Sequence, residues 1–163
     1  MITIGLISDT HGHLDDQFFN FFEPCNQIWH AGDIGSLALA DKIAAFKPLV
    51  AVSGNIDDYK TRLVYPMNQR FYVEDTDVFI THIGGYPGHY STLVKDLLKT
   101  DPPKVFVCGH SHILRVMYDK KYGMLVMNPG ASGIQGFHTV RTALRFTINK
   151  GEVSGLEICN LPR

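Results

Sequence analysis

"ITIGLISDTHGH", Ile2–His13, decides the fold. Its first six residues are a continuous apolar run rich in β-branched side chains, the pattern of a strand covered on both faces and hence of a parallel sheet. The next stretches repeat the theme. Leu14–Phe22 predicts a helix with Phe18, Phe19, Phe21 and Phe22 as its apolar surface, "QIWHAGD" a short second strand, Leu37–Phe46 a second helix and Leu49–Val52 a third strand. This is a βαβαβ series.

The pattern then changes. Arg70–Glu74 and Val78–Thr81 flank "DTD", which reads as an antiparallel hairpin. A helix from about Tyr90 to Leu98 leads through Pro102 and Pro103 to the strand "KVFVCG", and two further hairpins turn at Lys121–Gly123 and Asn149–Gly151. Early parallel βα units followed by hairpins favour sheets packed on each other with helices outside. The expected class is α/β in one domain spanning residues 1–163, without repeats or linkers.

Composition narrows the function. Lys plus Arg number 15 against 16 Asp plus Glu, with no basic cluster denser than Lys120–Lys121, so long nucleic acid is not an expected partner. Cys25, Cys108 and Cys159 have no CxxC spacing, which suits neither a disulfide framework nor a thiolate zinc site. Their arrangement, and an N-terminus without a basic segment or membrane-length apolar run, point to a cytoplasmic protein with no membrane partner.

The eight histidines carry more information, because several stand where apolar runs end. "LISDTHGH" places Asp9 and His11 after the first strand, "WHAGD" places Asp33 after the second and "AVSGN" places Asn55 after the third. "FITH" places His82, and "VFVCGHSH" places His110 and His112, after two more. Ligands in open α/β sheets bind outside the carboxyl ends of strands, so positions far apart in sequence converge. Asn55 alone would read as a turn residue. Together the seven form a donor set of imidazole, carboxylate and carboxamide without thiolate, suited to Mn, Fe, Zn or Ni. Seven donors exceed one tetrahedral ion and match two, with Asp33 as the candidate bridging carboxylate.

These motifs, "DTHGH", "HAGDIG", "SGNIDD", "TH", "GHSH" and "NPGASG" in that order, resemble the calcineurin-like metallophosphoesterase superfamily, specifically its small bacterial and archaeal single-domain phosphodiesterases. The resemblance runs along nearly the whole chain. It implies a four-layer α-β-β-α sandwich of two mixed sheets, and hydrolysis of phosphodiesters by in-line attack of a hydroxide bridging two divalent ions. By the resemblance, Asp9, His11, Asp33 and His112 hold one ion, and Asp33, Asn55, His82 and His110 the other. Mn is the leading choice, with Fe, Zn or Ni as alternatives. The partner is then a small phosphate-ester substrate, and a homo-oligomer is compatible. Alternatives are a phosphomonoesterase, or a protein-interaction scaffold like the retromer subunit of the same superfamily.

Two positions depart from that pattern. Many relatives carry His after the motif Asn, where this chain has Ile56, and close relatives carry Gly where it has Ile83. Isoleucine cannot protonate a leaving group, so esters with good leaving groups should react much faster than alkyl esters. Other residues read more plainly. His30 is either a partner orienting Asp33 or a satisfied strand-end histidine, His13 and His89 are rim loop residues, and His138 is expected at the surface. "NPGASG", Asn128–Gly133, is either an anion-binding nest or a tight strand exit. Cys108 is expected to be a buried thiol.

Overall fold

The first apolar run forms β1 (Ile2–Ile7) at the centre of a five-stranded sheet, and the two-residue period of a strand divides its side chains between two cores. Ile4 and Leu6 join the core between the sheets, whereas Ile7 packs on the outer face with Phe18, Phe22 and Ile43. This computed structural model describes residues 1–163. β2 (Gln27–His30) runs parallel to β1, and β3 (Leu49–Ala51) runs parallel to β2. On the other side lie the antiparallel β9 (Val140–Asn149) and β10 (Glu152–Pro162), for an order β10-β9-β1-β2-β3.

The second sheet has the order β4-β5-β6-β8-β7, from β4 (Asn68–Val73), β5 (Thr76–Thr81), β6 (Val105–Val107), β7 (Leu114–Asp119) and β8 (Met124–Pro129). Its three central strands are parallel and both edges antiparallel. Again alternation divides the faces: Val78 and Ile80 of β5 and Val105 and Val107 of β6 meet Trp29, Leu144 and Phe146 between the sheets. Phe79 and Phe106 face outward. Trp29 anchors the inner core, edge-on to both Phe71 and Phe146, with its indole N–H donated to Gln27 at 2.8 Å. Truncation to Ala should cost about 3–5 kcal/mol.

α1 (Asp16–Phe21) and α2 (Leu37–Phe46) cover the first sheet through Phe18, Leu39 and Ile43, and α4 (Thr92–Thr100) covers the second through Val94 and Leu98. The four layers and the mixed sheets match the expected class. Boundaries differ for local reasons. α1 is shorter than the Leu14–Phe22 expectation, and α4 starts two residues late because the Ser91 side chain caps it by accepting from the Val94 N–H. The first hairpin turns at Glu74–Asp75, both at positive φ, so Thr76 and Asp77 belong to β5. α3 (Tyr59–Val64) was not anticipated: only Thr61 of its residues is buried, which leaves no apolar period to read. No helix is long and apolar enough to cross a membrane.

Candidate metal centre

Residues 9–12 leave β1 alongside residues 32–34 leaving β2, tied by Asp9 N–H to Gly32 O, His11 N–H to Asp33 O and Gly12 N–H to Ile34 O at 2.7–3.0 Å. The "SGNIDD" turn after β3 is fastened to this pair by Asp57. One oxygen of that buried carboxylate accepts from Gly54 N–H (2.8 Å) and Ile34 N–H (3.1 Å), the other from Gly35 N–H (2.9 Å). Asp57 is therefore the knot between two loops. In the sequence it stands only as the residue after Ile56, though an Asp shortly after Gly-Asn is a turn signal that could have marked it.

The second sheet joins through Asp9, whose Oδ2 accepts from Ser8 Oγ at 2.6 Å and from the His110 N–H at 3.0 Å. A Cβ on Gly109 would lie 2.0 Å from Ser8 Oγ, so only glycine lets this loop approach. The ends of β1, β2 and β3 from one sheet and of β5 and β6 from the other thus meet at one end of the sandwich. Asp33 follows β2, second from the sheet edge, and the central strand carries Asp9 instead.

All seven anticipated residues gather there. Asp9, His11 and His112 present donor atoms within 4.8 Å of one another, as do Asp33, His82 and His110. Asp33 joins the two groups: its Oδ2 is 3.6 Å from His11 Nε2 and 3.2 Å from His82 Nε2, while its Oδ1 accepts from the Ile56 N–H at 3.0 Å. Asn55 stands at the exposed rim, its Oδ1 3.1 Å from His110 Nδ1. Asp9, His11, Asp33, His110 and His112 all have left-handed backbone, φ 47–70°. That conformation is rare outside glycine and recurs at functional sites.

The floor of the site is short of positive charge. Asp9 Oδ1, His11 Nε2 and His82 Nε2 are buried and without hydrogen-bond partners, a costly condition in a protein interior. His82 donates Nδ1–H to Ala31 O at 2.7 Å, which turns its Nε2 lone pair toward the two aspartates. Burial lowers the His82 pKa, but the contact with Asp33 and the charges of Asp9 and Asp33 outweigh it and the net shift is upward. For Asp33 burial raises the pKa, and the His82 contact outweighs it downward. Surroundings that draw a proton to this point would equally hold a cation, and the donor set suits a divalent metal.

His112 brings in a residue expected at the surface. His138 Nε2–H donates to Gly133 O at 2.8 Å, which makes its Nδ1 an acceptor for His112 Nδ1–H at 3.2 Å and leaves His112 Nε2 facing Asp9 Oδ1 at 3.3 Å. His138 is half-buried and fixes the His112 tautomer, the usual arrangement behind a ligating histidine. Nothing in the spacing of "GFHTV" signals this. The other histidines lie apart. His30 is buried, with Nδ1 accepting from Gly32 N–H and Nε2–H donated to Thr10; burial lowers its pKa to about 4. It is a satisfied core residue. His13 pairs with Asp15, and His89 packs on Tyr86. In "NPGASG", the N–H groups of Gly130, Ser132 and Gly133 bond to Asn128, Ser8 and Asp9, so the segment is a tight strand exit. Burial pushes the Cys108 thiol up to about 12, leaving it inert.

The sequence profile of the Calcineurin-like phosphoesterase superfamily domain matches residues 2–151. The chain belongs to that superfamily. A probable metallophosphoesterase from Methanothermobacter thermautotrophicus is 28% identical over 135 residues, covering 78% of this chain and 76% of the relative. A second, from Methanocaldococcus jannaschii, is 28% identical over 134 residues, covering 78% and 67%. In fold this superfamily member is similar to a novel archaeal phosphodiesterase, with TM-score 0.76 and 24% identity over 98% of this chain and 100% of the other. It is equally similar to a Vps29 variant from Entamoeba histolytica, with TM-score 0.76 and 12% identity over 99% of both chains.

Proposed function

We propose that this chain is a two-metal phosphodiesterase. The observation that carries the reading is the pair of donor groups around Asp33, with three buried polar atoms that face one another's groups and lack a hydrogen-bond partner. Asp9, His11, Asp33 and His112 would hold one divalent ion, and Asp33, Asn55, His82 and His110 the other. Mn leads among the metals, with Fe, Zn or Ni as alternatives. When bound, such ions lower the pKa of water and neutralise phosphate charge.

The chain's own residues supply position and charge balance. Ile56 N–H and Gly54 hold Asp33 by its Oδ1; a Cβ at position 54 would lie 2.1 Å from that oxygen. Two ions of about +4 against Asp9 and Asp33 leave a net positive site that attracts a phosphate ester, and a carboxylate at position 55 would reduce that charge. Asn55 offers an oxygen without the charge. Ile56 is 47% exposed at the rim and offers no proton, so departure of the alcohol depends on its own acidity.

The test compares metal-free and Mn-reconstituted protein, wild type and Asn55→Ala, on bis-aryl and mono-aryl phosphates. Metal-dependent diester cleavage that falls in Asn55→Ala supports the reading; faster cleavage of the monoester makes the protein a phosphomonoesterase. A second reading, a protein-interaction role, is favoured by exposed Tyr59, Leu63, Val64 and Met67 on and just beyond α3, and by the Vps29 fold likeness. No turnover with metal bound would select it.

A further inference from the structure

Beside the donor cluster lies a pocket of ≈ 250 Å³ that shares His110 with it and is lined also by Tyr86, His89, Ser111 and Arg115. We propose that this pocket is a subsite for a second phosphate group on the substrate, with Arg115 as its specificity residue. The inference rests on the phosphodiesterase reading and names the class of ester: one whose non-reacting substituent carries a further phosphate.

Arg115 differs from the other arginines of the chain. Arg70, Arg141 and Arg145 pair with Asp77, Asp15 and Glu157, and Arg62 and Arg163 donate to the carbonyls of Asn55 and His138. Arg115 stands in β7 and takes part in no ion pair. Its guanidinium carbon sits 3.6 Å from the centroid of the Tyr86 ring, a stack that fixes the plane of the group and leaves its edge donors free. A planar fork held this way suits two parallel bonds to phosphate oxygens.

The rest of the pocket agrees in sign. None of its twelve lining residues is Asp or Glu. Ser111 Oγ already accepts from the Ile113 N–H at 3.2 Å and from Asn128 Nδ2 at 3.1 Å, which occupies its lone pairs and leaves the hydroxyl proton to donate. His89 lies against the same tyrosine, ring centroids 4.7 Å apart. The volume, ≈ 250 Å³, falls below the roughly 300–1,000 Å³ of a cleft that takes a whole small molecule. It suits one substituent of a ligand anchored at the neighbouring donors.

Two measurements test this on the full chain. With Mn-loaded protein, kcat/KM is compared for bis(p-nitrophenyl) phosphate and for a p-nitrophenyl diester whose other substituent ends in a phosphate. Arg115→Ala should lower the preference for the second substrate about tenfold, chiefly through KM, and Arg115→Lys should recover part of it. With metal-free protein, titration of inorganic pyrophosphate by calorimetry should give affinity about tenfold weaker in Arg115→Ala. An unchanged substrate preference together with unchanged pyrophosphate affinity overturns the subsite. If neither diester is cleaved at all, the phosphodiesterase reading falls, and the pyrophosphate titration still decides whether Arg115 binds phosphate.

Discussion

The floor and the rim of the donor cluster are built on different physics. Asp9, Asp33 and His82 are at most 3% exposed, and their free atoms face one another. At the rim, Asn55 and His110 are exposed and satisfy each other across 3.1 Å. A buried group without a partner is costly, whereas a rim group can fall back on water or on its neighbour. The floor is therefore suited to hold a cation, whereas the rim is satisfied without one.

The hardest test of this contrast is Asp33→Ala, which removes the carboxylate that joins the two donor groups. Diesterase activity should fall by roughly a thousandfold, with metal content reduced; mass spectrometry for bound metal and a bis-aryl phosphate assay check both. Activity within tenfold of wild type would mean the floor is not where the metal sits. On the proposed diesterase reading, Ile56 at the rim offers the departing alcohol no proton. Rates across a series of aryl and alkyl diesters should drop about a hundredfold or more as leaving-group pKa rises. A flat series would reveal an acid elsewhere on the rim.

His138→Ala sharpens the comparison from behind the floor. The His112 Nδ1–H loses its acceptor, the ring is free to change tautomer, and metal affinity should weaken about 10- to 100-fold. Titration with a competing chelator measures this without turnover. An affinity equal to wild type would show that His112 needs no support.

How much of the molecule was legible in the sequence depends on the physical origin of each signal. The strands, and the seven candidate donors that gather at their ends, were marked by apolar runs ending in polar residues, because the sheet makes strand ends coincide in space. α3 gave no such signal, since it exposes Leu63 and Val64 and buries little; its mark was Asp58, whose carboxylate accepts from Thr61 N–H. Asp57 and His138 escaped for another reason. Their partners, Gly35 and His112, lie 22 and 26 residues away, and loop-to-loop contacts of that kind have no periodicity.

A last effect, on stability and not on activity, concerns His30, beneath the floor. Neutral His30 accepts the Gly32 N–H, so the folded protein resists its protonation down to about pH 4, whereas the unfolded chain takes the proton near the usual 6.5. Its contribution to stability is complete above pH 6.5 and declines as pH falls toward 4. It amounts to about 3 kcal/mol over that interval. Urea midpoints measured from pH 7 to 4 should fall, and His30→Gln should flatten part of the slope.

The left-handed backbone at five of the donors also bears on how this protein can change over generations. Among residues with a Cβ, Asp, Asn and His enter that conformation most readily, while a branched side chain there costs about 1–3 kcal/mol. Mutational drift at Asp9, His11, Asp33, His110 or His112 is thereby steered back to side chains that themselves bind cations, with glycine as the one easy exit. A lineage that abandons the chemistry while keeping the fold should carry glycines at these positions before it carries leucines.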